Sequence, residues 1–264
     1  MLRYWKCFCA YFKANLLTWA EYRLDFLALN VSNIIYLVVG VINIEILFTQ
    51  VDNIMGWNKY HIFWMLGFYY LVKTLWNTLF INTLDIGYWV RSGKLDLFMV
   101  RPLNPLFQLI CTGRYNTEFA LDELVLGLGL IIYANNHLGI VWDSGSIAYF
   151  IISLMSGVLV YGGIIFLLSC ISLWTIQSDT LFEFIYNLER LIEYPIDIYG
   201  VFIKYFLTFV LPLGFVSFYP AQFFFNVGNY RWFIFAEPFI GVVLTVLGLA
   251  IWKQGLKGYQ STGS

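Results

Sequence analysis

The chain has 264 residues, of which 60% are hydrophobic, 20% aromatic and only 12% charged. A soluble domain is typically about a quarter charged, so this composition cannot cover a water-facing surface and sets apolar side chains against lipid. A net charge of −1 leaves no basic footprint for nucleic acid. In chain order, residues 1–23 come first. Arg3, Lys6, Lys13 and Arg23 are spread through them, with no uninterrupted apolar centre and no small-residue cleavage site, which excludes a cleaved signal peptide. Trp5, Phe8, Phe12, Leu16 and Trp19 recur at three- and four-residue steps and share one helical face. Aromatics on one side and lysines on the other predict an elbow helix lying in the cytoplasmic membrane interface.

A bilayer crossing needs roughly 20 mostly apolar residues. Six stretches meet that need: Phe26–Phe48, Ile62–Asn82, Phe119–His137, Ile147–Ile171, Tyr199–Phe218 and Trp232–Trp252. The third opens with Asp122 and Glu123, and the fifth carries Lys204 and Pro212, so five crossings is the alternative count. With both termini inside, Arg3, Lys6, Lys13, Arg23, Arg91, Lys94, Arg101, Arg114, Arg190, Lys204, Lys253 and Lys257 fall on the cytoplasmic side. Only Lys59 and Arg231 fall outside. A split of 12 against 2 sets the orientation by the positive-inside rule. The expected fold is an all-α membrane protein, one transmembrane domain over 1–264. After the fifth span, residues 220–228 begin with Pro220 and stay aromatic rather than polar. That pattern fits a re-entrant helix on the outer face, which survives at membrane depth only under protein or water cover, and equally a surface helix at the lipid boundary.

Catalytic signals are missing. Gly93-Lys94 is followed by Leu95, so the lysine and hydroxyl residue of a phosphate-binding loop are not in register, and ATP would have to be hydrolysed by another chain. Cys7, Cys9, Cys111 and Cys170 show no metal spacing. His61 and His137 have no partner at ligand or triad spacing, and no serine sits in a nucleophile elbow. Ionisable groups within spans are functional candidates by default. Lys73, with Asn77 one turn on, lies inside the second span, and Glu45 lies in the outer part of the first. Lys73 would face a pathway for polar cargo, or pair with a glutamate of a neighbouring helix as structural glue. Arg114, Glu118 and Asp122 step by four, giving an ion ladder where the third helix leaves the cytoplasm. Residues 179–194 read as a cytoplasmic amphipathic helix. Thr180-x-x-Glu183 forms a capping box, Leu181, Ile185, Leu188 and Ile192 make one apolar face, and Tyr194-Pro195 ends it.

Residues 85–105, DIGYWVRSGKLDLFMVRPLNP, form a charged, turn-punctuated island between apolar runs. Gly93 through Leu103 resembles the G-x-L-D-x-x-L-x-R-P-L signature of permease subunits of type 2 ABC exporters, in a bacterial six-span branch. Met99 departs from that signature's leucine, a swap of similar volume. Leu207–Pro212, Tyr219-Pro220-Ala221 and the ending Trp252-x-x-Gly255-Leu256-x-x-Tyr259-x-Ser261-x-Gly263-Ser264 are similar to the same family. The resemblance implies the type 2 ABC exporter fold: an N-terminal elbow helix, six transmembrane helices, a cytoplasmic coupling helix between the second and third, and an external re-entrant helix. It also implies a second permease, identical or homologous, two separate ATPase subunits that carry ATP and Mg²⁺, and a bacterial plasma (inner) membrane location. No cofactor is expected in this chain. On this reading Tyr88, Trp89 and Val90 anchor the loop in an ATPase groove, and Arg91, Lys94, Asp96 and Arg101 form its polar rim. Pro102 with Pro105 stiffens the exit. The rival from another class is an ATP-independent carrier coupled to ions through Lys73 and the membrane acids.

Overall fold

The computed structural model describes residues 2–21, 23–112, 120–175, 183–184, 187–225, 227 and 230–259. Among them every regular element is helical: α1 (Leu2–Glu21), α2 (Arg23–Gln50), α3 (Lys59–Phe80), α4 (Ile86–Arg91), α5 (Leu95–Met99), α6 (Pro105–Cys111), α7 (Leu121–Leu138), α8 (Ser144–Cys170), α9 (Val201–Tyr205), α10 (Phe218–Phe225), α11 (Arg231–Ile234) and α12 (Glu237–Gly258). Three stretches, Leu27–Gln50, Ser144–Leu173 and Glu237–Gly258, are long and apolar enough to cross a membrane by length and composition. α3 and α7 carry more polar side chains, and packing rather than hydropathy explains them.

α3 is the central helix. Its residues Ile62 to Val72 are buried without a break, because α7 flanks it on one side and α8 on another. The α3–α7 crossing is close: a Cβ on Gly67 would lie 2.8 Å from the Gly127 carbonyl oxygen, and one on Gly127 would lie 2.9 Å from that of Gly67. Glycine lets the two backbones meet there, as small residues do in membrane helix pairs. α8 and α12 share the most extensive contact in the molecule, and its seam has a seven-residue repeat. Gly241, Gly248 and Gly255 on α12 receive Leu159, Phe166 and Leu173 of the α8 region, with Cβ positions that would fall 2.8, 2.6 and 2.4 Å from those side chains.

Short polar devices set the helix ends. Asn58 caps α3 by accepting the His61 amide at 3.0 Å, and its own amide donates to His61 Nδ1 at 3.2 Å. His61 is thus a capping residue. His137 stacks on Tyr60 with centroids 4.2 Å apart. Asp143 accepts the Ser146 amide at 2.8 Å to start α8, and hydrogen bonds from the Ser146 hydroxyl and amide hold its carboxyl below the usual carboxylate range. α7 ends at Gly139 with φ 63°, the left-handed turn that glycine adopts without strain.

Over the fifth expected span, Tyr199–Phe218, the helix is broken. Val201–Val210 is only ten residues, about 15 Å of helix, against a hydrocarbon core of about 30 Å. It passes from α9 into a π-helical turn, Phe206–Val210, and stops at Pro212. It does not span. Asp197, Tyr199, Val201 and Lys204 line one cleft with Met55 of the α2–α3 loop, so the chain has already reached that end of the bundle by residue 197. In the stretch expected as a cytoplasmic amphipathic helix, Glu189 bonds Lys73 and Tyr161, well inside α3 and α8. Thr180, Leu181 and Ile185 lie outside the described residues. Beyond Pro212, α10 packs on the N-terminal half of α3. Phe224 lies 4.8 Å from Trp64, Phe225 4.7 Å from His61 and Phe223 4.0 Å from Tyr149, between ring centroids. Protein covers α10, since Phe218 to Gln222 are buried.

α1 is separate from this core. Its Tyr4 ring meets Phe107 of α6 edge-on at 4.9 Å, and Trp5, Phe8 and Phe12 stack along it. The side chains of Leu16 and Trp19 lie outside the described residues, as do Ser261, Gly263 and Ser264.

Candidate functional site

The segment after α3 folds into a small knot at the end of the bundle away from the α2–α3 loop. α4 ends at Ser92, and Gly93 follows with φ 65°, a left-handed position that turns the chain into α5 at little cost for glycine. Leu95 and Phe98 of α5 point inward, and Phe98 packs on Trp89 at 4.9 Å. Asn104 caps α6 through the Leu106 and Phe107 amides, with Pro105 in the first turn, where its missing N–H is not needed. Gln108 is fully buried. Its Nε2 donates to the carbonyls of Phe98 at 2.9 Å and Leu103 at 3.0 Å, which clamps the α5–α6 turn. The Asn82 amide donates to the Ile110 carbonyl at 2.9 Å. Behind these groups, Ile86, Trp89, Val90 and Leu109 form one apolar cluster with Phe166, Cys170 and Leu173 of the α8 end and Trp252 of α12. The knot is thus fixed to the α8–α12 pair.

This corrects the expected anchor. Trp89 is only 9% exposed and Val90 is buried, since helical periodicity turns residues 86, 89 and 90 to the same inward side. A tryptophan contributes more to the knot's core than to an open rim. Tyr88 is half-buried, and Lys94 Nζ donates to its hydroxyl at 2.9 Å. The outward apolar tip is Leu97, Met99 and Val100, with Val100 81% exposed. Arg91, Lys94, Arg101 and Pro102 are exposed around it, and Asp96 is half-buried. The polar rim expected from sequence therefore surrounds a different apolar patch, a few residues further along.

The second constellation lies inside the bundle. Lys73 Nζ sits 3.0 Å from Glu189 Oε2 and 3.4 Å from Glu123 Oε1. Asn77 Nδ2 donates to Glu123 Oε2 at 2.9 Å, and the Tyr161 hydroxyl donates to Glu189 Oε1 at 2.6 Å. One ammonium thus joins α3 to α7 and to the segment that holds Glu189. Of the two readings of Lys73, the structure shows the ion-paired one. Glu123 and Glu189 were missed as its partners, although a lysine at membrane depth calls for an acid somewhere in the bundle. Asp122 is buried next to Glu123; Arg114 and Glu118, the rest of the expected ladder, lie outside the described residues. Glu45 is not near this cluster. It pairs with Lys59 at 2.9 Å and ties α2 to α3 at the loop end.

A third polar group closes the loop end. Asp197 Oδ1 accepts from Lys204 Nζ and from the Tyr230 hydroxyl, both at 2.5 Å, beside a cleft of about 380 Å³. Among the described residues no group of histidines, cysteines and carboxylates is arranged to hold a metal.

The family model described as ABC-2 family transporter protein matches residues 34–263, from the middle of α2 to the end of the chain. The chain belongs to this family. No curated protein and no solved structure matches it. As an ABC-2 family protein it is a membrane-embedded component of the kind that associates with ABC ATPases.

Proposed function

We propose that the chain is the non-catalytic permease subunit of an ATP-driven exporter in the bacterial plasma membrane. It pairs with a second permease, identical or homologous, and docks two ATPase subunits that bind ATP and Mg²⁺. Six crossings carry the path: α2, α3, α7, α8, the segment around Glu189, and α12. Both termini lie in the cytoplasm. With Lys204 moved to the outer end and Arg190 placed within a crossing, the basic count of 12 against 2 becomes 10 against 3, which keeps the same sign.

The observation that carries this reading is the knot's exposed apolar tip on a clamped base. Leu97, Met99 and Val100 are large apolar side chains facing outward, ringed by Arg91, Lys94 and Arg101. The turn beneath them is held by two bonds from buried Gln108. An apolar centre with a polar rim is the composition of a protein-binding patch. Movement of two ATPases on nucleotide binding would push this tip, and the cluster behind it would pass the displacement to α8 and α12. The Lys73 cluster supports the same account, because it makes α3, α7 and the fifth crossing move together. It also weighs against an ATP-independent carrier, since the ammonium is already held by two carboxylates. The test is purification of the tagged chain from its native host. The ATPase should co-purify and its activity should respond to the permease. Val100→Asp with Leu97→Asp should abolish that association while the variant stays folded. Normal recovery of ATPase with the double variant would overturn the assignment of the tip.

A further inference from the structure

Four parts of the chain meet at Gly157 of α8. A Cβ there would lie 2.9 Å from Val72 Cγ2 of α3 and 3.4 Å from Glu237 Oε1 at the start of α12. It would lie 3.5 Å from the carbonyl oxygen of Val216, in the turn before α10. The bare face of the glycine thus admits a carboxyl group and a main-chain carbonyl to one buried spot. The carbonyl is short of a donor. Four residues beyond Val216 stands Pro220, which has no N–H to give. The ladder of α10 begins one residue later, with the Ala221 amide donating to the Ser217 carbonyl at 3.1 Å. Among the described residues nothing donates to the Val216 carbonyl. Glu237 is as poorly supplied. It is 0% exposed, and among the described residues only the Ser153 hydroxyl hydrogen-bonds its carboxyl and no cation pairs with it. The nearby Tyr149 hydroxyl is already spent on the Ile234 carbonyl at 3.0 Å.

A buried carbonyl without a donor is costly, and an isolated buried carboxylate far more so. One proton removes both costs, because a carboxylic acid offers an O–H where a carboxylate only accepts. We propose that Glu237 is kept as the neutral acid, accepting from the Ser153 hydroxyl and donating its O–H to the Val216 carbonyl. Glu237 is then a positioning residue. Its O–H stands in for the amide that Pro220 lacks, and it fastens the turn before α10 to α8 and α12. That turn sets where α10 starts, and so where Phe223 and Phe224 meet Tyr149 and Trp64. The inference needs only the packing around Gly157 and stands apart from the exporter reading.

The experiment combines infrared difference spectroscopy with thermal unfolding of the intact protein in nanodiscs at neutral pH. The spectrum of the wild type minus that of Glu237→Gln should show the C=O band of a protonated carboxyl group. Glu237→Gln keeps a donor in its amide and should not lower Tm. Glu237→Met has similar length and no donor, and should lower Tm by roughly 4–8 °C. Pro220→Ala supplies the missing amide to the Val216 carbonyl. In that background Glu237→Met should lose less than half as much, a coupling that a double-mutant cycle reads directly. Absence of the protonated-carboxyl band would overturn the proposal, whatever the variants do to folding. So would equal losses for Glu237→Gln and Glu237→Met, or the same loss for Glu237→Met with and without Pro220→Ala.

Discussion

Replacing Lys73 by methionine tests whether the internal cluster holds the bundle together. The substitution keeps the chain's length and removes the charge, leaving Glu123 and Glu189 without the ammonium that sits 3.4 and 3.0 Å from them. At an effective dielectric of about 20, each contact is a gross attraction of about 5 kcal/mol. Desolvation and repulsion between the two carboxylates offset much of it, and breaking a buried pair on one side costs about 3–5 kcal/mol net. Asn77 and Tyr161 still hydrogen-bond the two acids, which favours the lower end, about 3 kcal/mol. For a chain of this size that corresponds to a fall in Tm of roughly 6–12 °C, read by tryptophan fluorescence in detergent or nanodiscs. Glu189→Gln should cost less, since Lys73 keeps Glu123. The double variant Lys73→Met/Glu189→Gln should be more stable than the sum of the singles predicts, because it no longer strands the second carboxylate. A loss under about 1 kcal/mol for Lys73→Met, or strict additivity in the cycle, would refute the reasoning.

Trp89→Ala should destabilise the knot by about 3–5 kcal/mol, as loss of a packed core aromatic does, while Val100→Ala should leave Tm unchanged and weaken only ATPase association; equal thermal effects would contradict the inward placement of Trp89. Gly248→Ala puts a methyl 2.6 Å from Phe166 Cδ1 and should cost about 1–3 kcal/mol. Gly129→Ala, with nothing within 4 Å of the new methyl, should be neutral or gain up to about 1 kcal/mol from helix propensity, so a Tm comparison of the two checks the α8–α12 seam. Glu237 is 0% exposed, and the Ser153 hydroxyl interacts with its carboxyl. Glu237→Gln keeps the shape without the charge and should leave stability unchanged or raise it by up to about 2 kcal/mol; a clear drop in Tm would mean the negative charge itself is needed there.

Hydropathy alone located α2, α8 and α12, because those helices read as unbroken apolar runs. The Gly93 break and the Pro105 start of α6 were also readable, since each rests on local backbone chemistry. The packing of Glu189 was not. It meets Lys73, 116 residues away, and a window of sequence cannot see such a pairing. Trp89 misled for a related reason: in so short a helix the sequence does not say which aromatic faces the α8 end. The glycine seam was in plain view as Gly241, Gly248 and Gly255, seven residues apart, and that spacing was the signal for the α8–α12 contact.

A photo-crosslinking amino acid at position 100 tests the central claim most directly, with the same residue at position 55 as the control at the opposite end of the bundle. In membranes of the native host, position 100 should crosslink to a polypeptide whose peptides carry an ATP-binding motif, and position 55 should not. Absence of that adduct at position 100 from a folded, membrane-inserted chain, or equal yield at position 55, would contradict the account.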